Sequence, residues 1–131
     1  MLLPDQELFD YIFEKSEELG FNTYDHLPLR NENAPYPFVE IGDVQQVDLP
    51  TKTAIGAQLT ITINIWGDGE SRFNVSQMAE KLAQLANQSF VTDNFRFIGR
   101  PSQTDKQIVT DTSVEDTVLK HGILTLVFSL G

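Results

Sequence analysis

Ala57-Gln58-Leu59-Thr60-Ile61-Thr62-Ile63-Asn64-Ile65-Trp66 is the stretch that decides the fold class. Leu59, Ile61, Ile63 and Ile65 fall on every second position, and Thr60, Thr62, Asn64 and Trp66 fill the positions between. Side chains alternate across a strand, so this is a β-strand with one apolar face. Strict alternation predicts that Ile61 and Ile63 are buried in a core beneath that face. Trp66 reads as a packing residue at the strand end, its ring N–H finding a partner, with an interface anchor as the other reading.

After this strand come Gly67-Asp68-Gly69-Glu70, a turn, and Ser71, an expected helix N-cap. Val75, Met78, Ala79, Leu82, Leu85 and Ala86 then keep helical spacing and predict an amphipathic helix ending near Asn87. Phe95–Ile98 and Gln107–Val109 are shorter strand candidates. Leu124, Leu126, Phe128 and Leu130 alternate through a closing strand from 119 to 130. On the N-terminal side, Tyr36–Gly42 reads as a short strand, with Pro37 suited to its first residues. Residues 43–56 join the two strands as an irregular connection, too long for a tight hairpin and expected to be mobile before assembly. Leu8, Phe9, Ile12, Phe13 and Leu19 form one helical stripe over 5–19, with Pro4 and Asp5 at its start and Gly20 as its stop. The order α-β-β-α-β-β-β predicts an α+β fold: a mostly antiparallel sheet with two helices packed on one face.

A chain of 131 residues is the usual size of one domain, and 1–131 is read as one. Cysteine is absent, which removes disulfides, thiolate nucleophiles and Cys-ligated zinc together. The start MLLPDQELFDY lacks the early positive charge of a signal peptide, and no apolar run reaches a bilayer-spanning length. Synthesis in a cytoplasm and no membrane partner are expected. The net charge is −10, and residues 1–70 carry all of it, with 13 acids against three bases. Such a surface repels phosphate backbones, so specific nucleic-acid binding is not expected.

The search for chemistry is negative. His26 and His121 are the two imidazoles, and no Ser stands in a strand-to-helix elbow beside either. Asp25 precedes His26 in the chain, which does not by itself bring their side chains together. Both histidines read as exposed or capping. No H-x-x-x-H pair or calcium-loop pattern occurs. The strand-Gly-x-Gly-helix run at 66–72 has the outline of a phosphate loop, but Asp68 and Glu70 would repel a phosphate and no Gly-Lys-Ser/Thr follows. The expectation is no catalytic, metal or cofactor-binding residue, and no enzyme.

The order of elements and several residues resemble the tail-completion, or tail-terminator, proteins of long non-contractile-tailed phages and prophages, also called head–tail joining or minor capsid proteins. The residues that carry the resemblance are Tyr36-Pro37-Phe38-Val39-Glu40-Ile41-Gly42-Asp43, the loop to Lys52-Thr53, the strand Gln58–Trp66, the helix after a polar turn, and the closing strand after Gly122. The likeness spans nearly the whole chain. It implies a structural protein of the virion at the head–tail junction, forming a ring, usually a hexamer. That ring would cap the tail tube and join it to the head connector or head completion protein, with DNA passing through. An acidic first half then has a use, as a passage that does not hold DNA. The expected assembly loop comprises Asp43, Gln45, Gln46, Asp48, Leu49, Lys52 and Thr53, with Leu49 as a docking residue. Two other readings stay open from the residues alone: a small non-catalytic adaptor for one protein partner, and an enzyme with an unrecognised acidic site.

Overall fold

The computed structural model describes residues 3–28, 34–50 and 55–131. Two helices, α1 (Pro4–Glu18) and α2 (Arg72–Ala83), accompany seven strands. These are β1 (Thr23–Tyr24), β2 (Phe38–Pro50), β3 (Ile55–Asp68), β4 (Ser89–Val91), β5 (Arg96–Gly99), β6 (Asp105–Asp111) and β7 (Leu119–Leu130). The sheet runs β1-β2-β3-β7-β5-β4, and β6 pairs with β7 beside β5. All pairings are antiparallel except the short β1–β2 contact. The architecture is the α+β layout expected from the sequence.

β3 is central because its alternation is strictest. Leu59, Ile61, Ile63 and Ile65 are fully buried, facing Leu8 and Ile12 of α1 and Val75, Ala79 and Leu82 of α2 in one apolar cluster. β7 supplies Leu124, Leu126 and Phe128 to the same cluster, and β2 supplies Val39 and Ile41. Both helices therefore cover one face of the sheet, which removes that face from water. Gly20 ends the α1 region at φ 89°, a backbone setting that glycine adopts without steric cost.

Two local expectations are corrected, and two short strands are added. Residues 43–50 and 55–56 are not an irregular connection: they extend β2 and β3 into one long hairpin. Only 51–54 lie outside the described residues. Ser71 precedes α2 but makes no side-chain cap; its hydroxyl donates instead to Asp68 Oδ1 at 2.5 Å. β1 and β4, two and three residues long, are too short to leave an alternation pattern in the sequence. β4 is held by aromatic stacking, with Phe90 lying 3.6 Å from the Tyr11 ring and 5.2 Å from Phe97.

α1 is tied to the far end of the sheet by Glu7, whose carboxylate accepts from Thr92 Oγ1 at 2.6 Å and from Asn94 Nδ2 at 2.8 Å. The Thr92 hydroxyl, then the Asn94 side chain, hold the Glu7 carboxyl below its ordinary value of 4.5. A carboxyl depressed on folding contributes stability above its unfolded pKa and loses it as pH falls through the folded one. Glu7→Gln is expected to lower the melting temperature at neutral pH. The gap to the wild type should close as the pH drops below about 4.5, the ordinary value. A gap constant from pH 7 to pH 3 would show that the carboxylate charge is not involved.

Candidate functional site

The sheet offers its helix-free face and its edges, and the expected assembly residues lie along one of those edges. β2 and β3 pair from Phe38–Trp66 at one end to Pro50–Ile55 at the other. Between Ile41 and Val44 the register slips, because three steps on β2 match two on β3. This is a β-bulge at Gly42-Asp43, and it reverses which side chains face the helices. Val39 and Ile41 face the core before it, and Val44 does so after it. Gln46 and Asp48 follow on that same side, opposite Leu59 and Ala57.

The consequence is an outer strand that is polar on both faces. Asp43, Gln45, Gln46, Val47 and Asp48 are all exposed, and Gln46 Nε2 donates to Asp48 Oδ1 at 3.1 Å. β1 covers this edge only at Val39 and Glu40. Among the described residues no strand pairs with the outer edge of β2 from 41 to 50. Of the expected assembly residues, Asp43, Gln45, Gln46 and Asp48 lie along this outer strand, Gln45 on the helix-free side and Gln46 and Asp48 on the helix side. Leu49 lies in the strand near its tip, while Lys52 and Thr53 lie outside the described residues.

A second feature sits at the opposite end of the same ladder, on the helix-free face. Leu27, Pro28, Ala34, Tyr36, Phe38, Trp66, Val114, Thr117 and Leu119 line an open cavity of about 470 Å³. Four large apolar side chains in or beside it face water: Leu27, Tyr36, Val114 and Val118. Trp66 stacks on His121 with the ring centres 3.8 Å apart and the planes 11° from parallel. The expected partner for its ring N–H is missing: Nε1 is buried without an acceptor among the described residues. Nothing in the sequence around Trp66 announces this, since the other residues that wall the cavity come from three distant segments.

His121 is likewise not the exposed residue expected. Its Nε2 bonds Asn64 Oδ1 at 2.8 Å, and Asn64 Nδ2 donates to Glu40 Oε1 at 3.1 Å. Burial lowers the His121 pKa, and the Asp111 charge opposes that shift in part. Asp25 and His26 do meet, at 2.8 Å, but both are exposed on the surface. Asp68 is held ionised by the Ser71 hydroxyl and the Glu70 amide, an arrangement that shapes the turn into α2. Among the described residues no three His, Asp or Glu side chains gather as a metal site.

Comparison with known proteins gives this architecture a family. No protein-family profile matches the chain. Tail completion protein gp17 of Bacillus phage SPP1 is 30% identical over 97 residues, covering 73% of this chain and 69% of that protein. The chain belongs to the phage tail completion proteins. It is a structural tail protein of the virion, as the resemblance implied. The fold of this tail completion chain also matches a chain in the virion of a native gene transfer agent particle. That match has a TM-score of 0.60 at 14% identity and covers 94% of this chain and 92% of the other.

Proposed function

We propose that the chain completes a phage tail as a closed ring of identical subunits, a hexamer on the family's precedent. The ring caps the tail tube, meets the head connector and lets DNA through, and it does so without catalysing a reaction. The observation that supports this most directly is the pair of unpaired sheet edges. β2 is open beyond β1 on one side, and β6 is open on the other, among the described residues. The two edges are different surfaces, so a contact between them is head-to-tail and repeats from copy to copy. Such contacts close into a ring when the rotation per subunit allows it. Here the β2 edge and its hairpin supply the assembly residues Asp43, Gln45, Gln46 and Asp48.

The charge distribution supports free passage of DNA. Residues 1–70 hold the whole net charge of −10, and the exposed Asp43 and Asp48 belong to that half. Few phosphates are held by such a surface, so no counterions are released to drive binding. Duplex DNA is expected to run unretarded in a gel with this protein, even at low salt. Purified protein mixed with tail tubes is expected to form rings in negative stain. A protein that stays monomeric with tubes present defeats the ring, and salt-sensitive DNA retardation defeats the free passage.

A further inference from the structure

We propose that neighbouring copies engage through their helices: the start of α2 in one copy docks on the end of α1 in the next, with Arg72 meeting Glu17 and Phe73 covering Leu19. The inference rests on the ring reading above and names the residues by which its subunits hold one another. It starts from charges that stand at the wrong ends of their own helices. Glu17 and Glu18 fall in the last turn of α1, where the carbonyl end of a helix disfavours a carboxylate. Lys15 answers Glu18 at 3.1 Å, while Glu17 is exposed and has no ion pair among the described residues. Arg72 opens α2, where the amide end disfavours a base, and no acid stands in that first turn. It too is exposed and has no ion pair among the described residues.

Each of these charges lies beside an apolar side chain that faces water. Phe73 is 74% exposed, the highest value among the large apolar side chains described, and Leu19 is 41% exposed. Aromatic and arginine side chains are the ones that interfaces enrich. One patch is apolar and basic, the other apolar and acidic, so each offers what the other lacks. The fold sets the two patches at one height on opposite flanks of the sheet. Ser16 Oγ and Thr23 Oγ1 are 2.7 Å apart, which ties the end of α1 to β1, and β1 pairs with Val39 and Glu40 on the outer side of β2. Lys106 of β6 reaches Ser76 Oγ at 3.3 Å, which ties the start of α2 to the other edge. The strands β2, β3 and β7 lie between β1 and β6, about 19 Å at ordinary strand spacing. Val39 and Glu40 pair with Ile65 and Asn64 near the end of β3, and α2 begins just past that end. A copy set alongside by rotation about an axis running with the strands therefore brings the start of one α2 level with the end of the next α1. No climb along the axis is needed, which is the condition for a contact that closes rather than winds into a filament.

The chain has no cysteine, so a pair introduced at the contact reports without background. The full chain carrying Phe73→Cys and Leu19→Cys, mixed with tail tubes and mildly oxidised, is expected to give a ladder of disulfide-linked multimers on a denaturing gel. Phe73→Cys combined with Val91→Cys, a side chain 71% exposed, is the control and should give none. Arg72→Glu and Glu17→Arg are each expected to raise the protein concentration needed for rings about tenfold, and the two together to restore it. All these side chains are exposed, so the variants should fold, as unchanged melting temperatures will show. Rings from either charge variant at the wild-type concentration overturn the inference and leave the ring standing. Wild-type rings with no ladder from the cysteine pair, or with an equal ladder from the control pair, do the same. A ladder from the cysteine pair alone, without rings, keeps the contact and removes the ring. Neither ladder nor rings removes both.

Discussion

Ile61→Ala and Ile63→Ala are each expected to lower the unfolding free energy by about 2–5 kcal/mol, read as a fall in the urea midpoint at unchanged slope. Both side chains are fully buried, pressed between the two helices and flanked by Leu124 and Leu126 across the β3–β7 ladder. Truncation removes three carbons from each and leaves a hole that neither neighbouring ladder can close, because β3 is hydrogen-bonded on both sides. For a domain with a typical 5–15 kcal/mol to lose, one such change is a large fraction of the total. The two sites are two residues apart on one face, so the double variant will not show the simple sum. Thr62→Ala, on the helix-free face between them, serves as the control and should cost under about 1 kcal/mol. Near-neutral midpoints for both isoleucine variants would mean that the other face of β3 holds the core.

Gly99→Ala is the second change with a large expected effect. A methyl group there would sit 2.1 Å from the carbonyl oxygen of Ala86 and 2.8 Å from that of Gln88. Both obstacles are backbone, so no side chain can rotate away. The Gly99 amide also donates to Gln88 O at 3.1 Å, which fixes the separation. Relief requires β5 to move from the turn Gln84–Asn87 that ends α2, and that turn carries the buried Leu85 and Ala86. A loss of about 3 kcal/mol is expected, at the upper end for overpacking. Gly20→Ala makes a useful contrast, because nothing crowds that position and only its positive φ resists, at about 1 kcal/mol. Equal, small effects at the two glycines would show that the β5 packing is loose.

Physics that acts within a single segment is legible in the sequence. The alternation of Leu59 to Ile65, the helical stripe of Leu8 and Ile12, and the stop at Gly20 each act within a few residues, and each stands in the structure. What failed depends on distant partners. Residues 43–50 are poor strand formers by composition, with Gln45, Gln46, Asp48 and Pro50, and they look like a loop in isolation. They are extended because β3 lies beside them as a template, and a proline is tolerated on a strand whose outer edge is open. β4 follows from Phe90 finding Tyr11 and Phe97, residues far from it in the chain. The candidate assembly residues were legible as a polar stretch, and the cavity was not, since Leu27, Tyr36, Trp66 and Val114 converge only after folding.

The pairing of β3 with β7 also sets an order in time. Gln58 lies opposite Ser129, and Asp68 opposite Leu119, so the central strand waits for a neighbour made some fifty to seventy residues later. Contacts that distant along a chain are slow to form and cannot begin until the later strand has left the ribosome. Until then the apolar face of β3 has only β2 and the helices to shelter it. A subunit interrupted before β7 therefore has no finished core to present to a growing particle, and synthesis itself screens which copies can join.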